Sequence, residues 1–502
     1  MLLLDIDRHA LVPAYRQLSD HIARLINAGT LTAGARLPPT RQLAAALGVH
    51  RTTVVRAYRE LRALGMLDAR PGSYTTVRRR WRQPTPVGAG TGDGRASNEG
   101  PADERWRART HARPRAVDAP AARHGDTAGI DFATHLPDPA LEPHRDLRRA
   151  VKRVMAGKGV DRLSLYGEAQ GEPALRLAIA RRMARHGVAV APDEILVTAG
   201  AQHALDLILR WRLEPGSAVA IESPGYGMAL QLLRQHRARV VPVPMAATGI
   251  DLAHLERALA RHRPSLLYTM PNFHNPTGIT TSAAHREHVL SLCELARTRI
   301  VEDGFDEELD YAAPAALPIK AIDRHGVVLY LGTLSKLVYP GLRIGWIAAA
   351  RGAIAPLAAL NRVTTLGGSV LGQAIAAQLL QSTAFDVHLR RVHRTYQRRL
   401  RAMFDGLAAH LPGGLTWTRP TGGYLLWLTI PGAAAREEAL VQRLAAAGVN
   451  VTAGRPFLAT RTRDAHLRLS IACVDESAIA EGCRRLGEGL RAGLAGLRRR
   501  RD

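Results

Sequence analysis

Apolar residues recur at two spacings along the chain, and the spacing divides it into three zones. Residues 15–28 place Leu18, Ile22, Leu25 and Ile26 on one helical face, and Gly29 ends the run. From residue 128 onward, short apolar runs alternate with longer helical patterns, as at EILVTAG, AVAIESP, SLLYTMP, RIVEDG and VVLYLGT. This alternation is typical of β-α-β units with a parallel sheet, so it predicts an α/β domain.

The stretch between the two periodic zones has a different composition. Residues 78–127 are rich in Arg, Pro, Gly and acidic residues and show no apolar periodicity. Fifty such residues are implausible inside a compact domain, so the sequence predicts a flexible linker. The predicted organisation is a small unit over residues 1–77, a linker over 78–127 and a large domain over 128–502.

The small unit carries a second and a third helical pattern. The segment 37–49 (LPPTRQLAAALGV) predicts a short helix with Thr40 as its N-cap and a tight turn at Gly48. The segment 50–65 predicts an amphipathic helix whose core-facing residues are Val54, Tyr58, Leu61 and Leu64. The segment 66–77 then predicts two strands joined at Pro71-Gly72. Together these elements predict an α+β winged helix-turn-helix.

The polar face of the third helix suggests a nucleic-acid contact. A helix fits the DNA major groove, its N-terminal residues reach base edges, and Arg or Thr can contact bases or phosphates. A protein-interaction module with a solvated basic face is the alternative. The candidate residues for double-stranded DNA are Arg41, Arg51, Thr52, Thr53 and Arg56.

Composition narrows the classes of protein further. The net charge of the 502 residues is +25, which favours a polyanionic partner. No apolar run is long enough to span a membrane, no signal peptide is evident, and the three cysteines show no metal-ligand spacing. We therefore expect a cytoplasmic protein without a bound metal. Only four of the 69 basic residues are Lys, so a retained Lys is a pointer to amine chemistry.

One of those lysines lies in a segment suited to such chemistry. Lys336 follows an apolar strand in GTLSKLVYPGLRIGW, where it can form a Schiff base with an aldehyde cofactor. Thr333, Ser335 and Arg343 lie close in sequence and can bind a phosphate. Taken alone, most Ser-Lys pairs are surface residues.

Three further segments fit the same chemistry. In EILVTAGAQHALDLILRW, a glycine turn before a helix directs backbone N–H groups of Gly200, Ala201 and Gln202 towards an anion. Asp303 can pair with a pyridinium nitrogen and Asn275 can donate to a phenolic oxygen, and the ring of Tyr226 can stack on a cofactor. Taken singly, an ordinary β-α turn, capping or turn residues and a core tyrosine explain these features equally well.

The ordered motifs resemble two known families. Residues 13–77 resemble the GntR-family winged helix in PAYRQL, LPPTRQLA, LGVHRTTVVRAY and LRALGMLDARPGS. Tyr74-Thr75-Thr76 departs from the usual Gly-Thr-Phe of the wing. Residues 128–502 resemble the fold-type I aminotransferases, which have a large and a small lobe and bind pyridoxal 5'-phosphate.

The second resemblance implies a role for each candidate in that domain. Lys336 becomes the Schiff-base residue, Asp303 the partner of the pyridine nitrogen, Asn275 the ligand of the phenolic oxygen and Tyr226 the stacking ring. Arg468, in HLRLSIA, becomes the clamp for an effector carboxylate. The implied phosphate ligands are Gly200, Ala201, Gln202, Thr333, Ser335 and Arg343, with Tyr166 reaching in from a neighbouring subunit.

Two positions depart from the aminotransferase pattern. Phe305 stands where a Tyr commonly donates to the phenolic oxygen, and the segment 135–139 (HLPDP) lacks a Gly often found beside the substrate. Efficient transamination is therefore less expected than cofactor binding.

The order of the modules resembles the MocR/GabR subfamily of transcription regulators. The resemblance implies a homodimer that binds operator DNA and senses a small amine or amino-acid effector, or the cofactor itself, through Schiff-base chemistry at Lys336. One alternative is an active aminotransferase with an accessory DNA-binding domain. Another is a DNA-binding scaffold that has lost the cofactor.

Overall fold

The computed structural model describes residues 12–68, 74–78, 129–157, 160–311 and 316–498. The chain divides into two units, residues 1–111 and 112–502, so the division falls within the predicted linker. The predicted wing turn at Pro71-Gly72 and nearly all of the predicted linker lie outside the described residues.

The first unit is a winged helix-turn-helix, as the sequence predicts. Gly48 has a left-handed φ of 60°, which makes the tight turn between the second and third helices. The two short strands pair antiparallel, with Leu67 opposite Val77. The elements are α1 (Ala14–Asn27), α2 (Thr40–Leu47), α3 (Arg51–Ala63), β1 (Leu67–Asp68) and β2 (Thr76–Val77).

Two details of this unit differ from the sequence prediction. Thr40 is the first residue of α2 rather than its N-cap, because Pro39 holds the extended conformation before the helix. Leu64 does not face the core: α3 ends at Ala63, and the side chain of Leu64 is 56% exposed. Ala57 lies in the core instead, together with Val54, Tyr58 and Leu61.

In the second unit, the described residues form one large and two smaller sheets. Its strands are β3 (Ile130–Asp131), β4 (Ile195–Thr198), β5 (Ala218–Ser223), β6 (Arg239–Ala246), β7 (Gly249–Ile250), β8 (Leu266–Thr269), β9 (Arg299–Asp303), β10 (Val328–Thr333), β11 (Gly345–Ala348), β12 (Thr416–Trp417), β13 (Leu425–Ile430), β14 (Val449–Asn450), β15 (Thr452–Ala453) and β16 (Ala465–Ser470).

The large sheet has the strand order β4-β11-β10-β9-β8-β5-β6-β7. Strands β10, β9, β8, β5 and β6 run parallel, while β11 is antiparallel to both of its neighbours. Strand β4 therefore points the same way as β10, and the strands that precede the candidate residues all end at one edge. Ligands of such sheets bind outside the carboxyl ends of the strands.

Helices cover this sheet and build the second lobe. They are α4 (His144–Ala156), α5 (Pro173–Ala184), α6 (Ala201–Arg212), α7 (Gly227–Gln235), α8 (Leu252–His262), α9 (Ala283–Leu295), α10 (Ile319–Ile322), α11 (Arg351–Thr365), α12 (Val370–Leu380), α13 (Thr383–His410), α14 (Glu437–Ala446) and α15 (Glu476–Arg498). Among the described residues, no helix combines the length and apolarity needed to cross a membrane.

The smaller lobe is built on a four-stranded antiparallel sheet with the order β12-β13-β16-β15. Residues of this sheet and of helices α13 and α15 share one apolar core. Strand β3 pairs in parallel with β14, which ties the first described residues of the second unit to this lobe. The α/β class and the two lobes agree with the sequence prediction.

Candidate functional site

A cavity opens at the carboxyl edge of the large sheet and gathers most of the candidate cofactor residues. It encloses about 180 Å³, whereas one water molecule needs about 10–15 Å³, so a small organic molecule fits. The sequence-predicted residues that line it are Ala201, Gln202, Tyr226, Asn275, Asp303, Thr333, Ser335, Lys336 and Arg343. His135, Leu136 and Phe305 also line the cavity.

Lys336 follows β10 and presents a buried amine. Its Nζ donates a hydrogen bond to the backbone oxygen of His135 at 2.9 Å. Burial lowers the pKa of Lys336 to about 8, although the negative charge of Asp306 opposes that shift. An amine with this pKa is partly uncharged near neutral pH, as a nucleophile must be.

Asp303 ends β9 inside the cavity and has one oxygen to spare. The hydroxyl of Tyr268 donates to Oδ2 at 2.6 Å, while Oδ1 has no partner of hydrogen-bonding geometry among the described residues. Burial raises the pKa of Asp303 to about 6, against the effects of the Tyr268 hydroxyl and the backbone N–H of Phe305. A protonated ring nitrogen at Oδ1 would satisfy this carboxylate and restore its charge.

The N-terminus of α6 forms an anion cradle. Gly200 precedes the helix with a φ of +92°, and a Cβ there would lie 2.8 Å from the guanidinium of Arg343. That guanidinium is held by the carbonyl of Ala199 at 2.7 Å. The hydroxyls of Thr333 and Ser335 lie 3.0 Å apart. Unpaired helix N–H groups, a guanidinium and two hydroxyls together suit a phosphate.

Asn275 lines the cavity from the loop after β8. Its Oδ1 accepts a hydrogen bond from Arg468 at 3.3 Å, so its amide N–H groups are the ones left to donate. A buried pair holds the loop, with Nε2 of His274 3.1 Å from a carboxylate oxygen of Glu222. Burial raises the pKa of Tyr226 to about 12, which keeps this ring neutral.

Arg468 lies on β16 and is a buried cation whose partners are neutral. It is 4% exposed and donates to Asn275, the Ala133 carbonyl, the His135 ring and the Thr452 hydroxyl. Its Nε has no hydrogen-bond partner among the described residues, and burial lowers its pKa to about 10. A buried guanidinium with only neutral partners is suited to receive a carboxylate.

Three side chains of the site escaped the sequence reasoning. The hydroxyl of Tyr268 donates to Asp303, and the position of this tyrosine near the end of an apolar strand could have indicated that it belongs to the site. Asp306 is 1% exposed, and neither of its carboxylate oxygens has a partner of hydrogen-bonding geometry within the described part of the chain. The hydroxyl of Tyr424 donates to the carbonyl of His135. The ring of His135 contacts Arg468 across a sequence separation of 333, which no local pattern reveals.

Phe305 and Tyr166 are two further positions that the sequence analysis singled out. Phe305 lines the cavity without a hydroxyl, as the sequence indicates. Tyr166 is 80% exposed and does not line the cavity of its own chain, so its role in a neighbouring subunit stays a prediction.

The candidate DNA-binding residues share the exposed surface of α2 and α3. Arg41, Arg51, Thr52 and Arg56 are exposed, and Thr53 is half-buried. The ring of His50 caps α3, with Nδ1 2.7 Å from the hydroxyl of Thr52. The guanidinium of Arg56 lies 3.8 Å above the ring of Tyr15 and donates to its hydroxyl, which fixes its direction.

Comparison with known families matches both units. Residues 14–77 match the gntR family of bacterial regulatory proteins, and residues 137–486 match aminotransferase class I and II. The probable rhizopine catabolism regulatory protein MocR of Rhizobium meliloti is 33% identical, over 82% of this chain and 81% of that protein. The HTH-type transcriptional regulator TauR of Rhodobacter capsulatus is 30% identical, over 95% and 96%.

Solved structures match the second unit. The α-aminoadipate aminotransferase LysN of Thermus thermophilus, complexed with N-(5'-phosphopyridoxyl)-L-leucine, is 34% identical with a TM-score of 0.69, over 73% of this chain and 93% of that one. The kynurenine aminotransferase of Pyrococcus horikoshii is 32% identical with a TM-score of 0.70, over 74% and 92%.

Proposed function

The chain belongs to the class I and II aminotransferases and to the GntR family, in the arrangement of MocR-type regulators, and from this premise we propose that it couples an amine ligand to transcription. Its first unit is a DNA-binding domain and its second binds pyridoxal phosphate. The proposal is that a small amine or amino acid engages the cofactor site at Lys336, and that this changes how the protein binds its operator.

The observation that carries the proposal is that three groups suited to the cofactor lie around one cavity. The aldehyde cofactor needs a primary amine, a carboxylate for its ring nitrogen and a site for its phosphate. Lys336, Asp303 and the cradle at Gly200 supply these three groups. When bound, the cofactor supplies a carbon that primary amines attack and a ring that withdraws electrons.

The residues of the chain have separate tasks in this proposal. Asn275 and Tyr226 orient the ring, and Arg343, Thr333 and Ser335 hold the phosphate together with the N–H groups of Gly200, Ala201 and Gln202. Lys336, with its pKa of about 8, can hold or release a proton when a ligand amine displaces it. Arg468 binds the carboxylate of a ligand that has one. To regulate, the ligand must favour one protein arrangement by roughly 1–3 kcal/mol.

A second copy of the chain is part of the proposal. Gly167 lies against Val370 at the start of α12, and α12 packs on α4. Exposed apolar side chains on and near these elements support an interface with a second copy, which would bring Tyr166 to the partner's cavity. They are Val151, Met155, Leu165, Tyr166, Leu366 and Leu371.

An active aminotransferase is the second candidate function. Lys336, Asp303, Asn275 and Arg468 all lie in or beside one cavity, which favours this chemistry. Phe305 lacks the hydroxyl that would assist it. Steady conversion of an amino acid and a 2-oxo acid at rates typical of metabolic enzymes would favour the enzyme over the regulator.

The test first selects, from random sequences, DNA fragments that the cofactor-loaded protein binds. A panel of amines and amino acids is then titrated into the complex of protein and DNA. Cofactor absorbance and the DNA footprint are recorded in the same samples. We expect at least one ligand to change both at the same concentration, and Lys336→Ala to abolish both responses. Lys152→Ala, which removes an exposed lysine, is the matched control. A spectral change with an unaltered footprint and unaltered transcription contradicts the proposal.

A further inference from the structure

The segment after β3 contacts Lys336, which lines the cavity, and Arg468 beside it. The backbone oxygen of His135 accepts hydrogen bonds from Lys336 at 2.9 Å and from Tyr424 at 3.2 Å. The backbone oxygen of Ala133 accepts one from Arg468 at 3.1 Å. The ring of His135 adds a further contact with Arg468, and His135 is one of the residues that line the cavity.

The protonation of the His135 ring follows from its partner. Nδ1 lies 3.3 Å from Nη2 of Arg468, and a guanidinium can only donate, so Nδ1 is the acceptor and carries no proton. Burial and the charges of Lys336 and Arg468 lower the pKa of His135 well below its usual value. The ring is therefore neutral at pH 7, with its proton on Nε2.

One nitrogen of Arg468 has more hydrogen-bond acceptors around it than it has hydrogens to donate. Nη2 has two hydrogens, yet three acceptors lie around it, at 3.1 Å (Ala133), 3.3 Å (His135) and 3.3 Å (Thr452). These long bonds to neutral acceptors are weaker than the short, charge-assisted bonds that a carboxylate makes with a guanidinium. A carboxylate that pairs with Arg468 in the bidentate arrangement, and so uses Nη2, must displace at least one of them. Of the three residues that supply these acceptors, His135 is the one that lines the cavity from which a ligand would approach.

We propose that His135 is a specificity-determining residue, whose ring occupies Arg468 until the carboxylate of a ligand displaces it. A simple amine leaves this contact intact, whereas an amino acid must break it. His135 therefore lowers the affinity for amino acids and leaves that for amines unchanged. The inference rests on the proposed ligand site at Lys336.

The same displacement changes the start of the second unit. Residues 129–138 are the first described residues of that unit, and Ala133 and His135 belong to one short segment. A carboxylate on Arg468 removes a contact of this segment, to which the preceding part of the chain is joined. Amino acids and amines thus leave the segment in different states.

The experiment compares His135→Ala and His135→Asn with the wild type in the cofactor-loaded full chain. The probes are three pairs that differ by the carboxylate: L-alanine and ethylamine, L-leucine and isopentylamine, L-phenylalanine and phenethylamine. Dissociation constants come from cofactor absorbance. The thermal unfolding midpoint reports folding, and His135→Gly replaces the alanine variant should that variant not fold.

We expect His135→Ala to bind the amino acids about tenfold more tightly, which corresponds to about 1.4 kcal/mol, and the amines as before. His135→Asn, whose amide oxygen can take the place of Nδ1, should stay close to the wild type. An unchanged ratio of amino-acid to amine affinity in His135→Ala overturns the inference but leaves the proposed function standing. If no probe binds the wild type, the proposed function fails and the inference with it.

Discussion

Lys336 differs from the other lysines in its surroundings rather than in its rarity. Lys320 is also one of the few lysines of the chain, but it has a structural role. Its Nζ donates to Asp323 at 3.0 Å and to the carbonyl of Val328 at 3.1 Å. Lys336 lies instead in a cavity, without a carboxylate in hydrogen-bonding geometry among the described residues. The scarcity of lysine was thus a weak indication, and burial beside the other cofactor groups is the stronger one.

Asp306 should set the proton affinity of Lys336. Its negative charge opposes the effect of burial on the lysine, so Asp306→Asn should lower the pKa of Lys336 below about 8. The lysine must be uncharged to react. The rate at which apoprotein takes up pyridoxal phosphate should therefore rise through about pH 8 in the wild type and at lower pH in the variant.

Stopped-flow absorbance over a pH series measures this shift. The four lysines also allow selective carbon-13 labelling, so that NMR can follow the titration of Lys336 directly. A profile displaced to higher pH in Asp306→Asn would show that the carboxylate does not stabilise the charged amine.

The central strands were the elements that the sequence predicted best. Strands β4, β5, β8, β9 and β10 coincide with EILVTAG, AVAIESP, SLLYTMP, RIVEDG and VVLYLGT, because strands buried on both faces form continuous apolar runs. The antiparallel sheet of the small lobe was not predicted. Its strands β12 and β15 have two residues each, and their pairing with distant partners leaves no local pattern.

The arginines along helix α3 should differ in how much they contribute to DNA affinity. Arg51 is exposed at its N-terminus, where base edges are within reach, whereas Arg62 lies at its C-terminal end and donates to the carbonyl of Tyr58. Arg51→Ala should weaken operator binding by about 1–3 kcal/mol. Arg62→Ala, which removes the same charge, should leave it near the wild-type value.

Fluorescence anisotropy with a selected operator, at several salt concentrations, measures both variants. Equal losses in the two would indicate that only net charge matters and that α3 does not enter the groove in the predicted direction.

At the scale of the whole molecule, the sequence indicated which modules are present and most residues of the cavity. Motif order carried this information, since Lys336, Asp303, Asn275 and Arg468 each lie in a recognisable segment. It could not reveal how remote segments meet. The contact of His135 with Arg468 and the unpartnered carboxylate of Asp306 depend on the packing of segments that are far apart in the chain, and a single sequence does not encode such contacts in any local period.

The predicted homodimer can be tested on its exposed apolar face. Leu165 is 67% exposed beside Tyr166, so Leu165→Arg should place a charge in the interface and produce monomers. Loss of the partner's Tyr166 should also weaken cofactor binding. Leu295→Arg, at a position that is 85% exposed on another helix, is the control and should stay dimeric.

Analytical ultracentrifugation and a cofactor titration report the two effects. A Leu165→Arg protein that remains dimeric, or that binds the cofactor as tightly as the wild type, would place the interface elsewhere.

The account as a whole depends on a covalent bond between the amine of Lys336 and the cofactor. Borohydride reduction of cofactor-loaded protein, followed by peptide mass mapping, tests it most directly. We predict one phosphopyridoxyl group, on the peptide that contains Lys336, and none on the peptides of Lys152 or Lys320. An unmodified Lys336 after reduction would contradict the account.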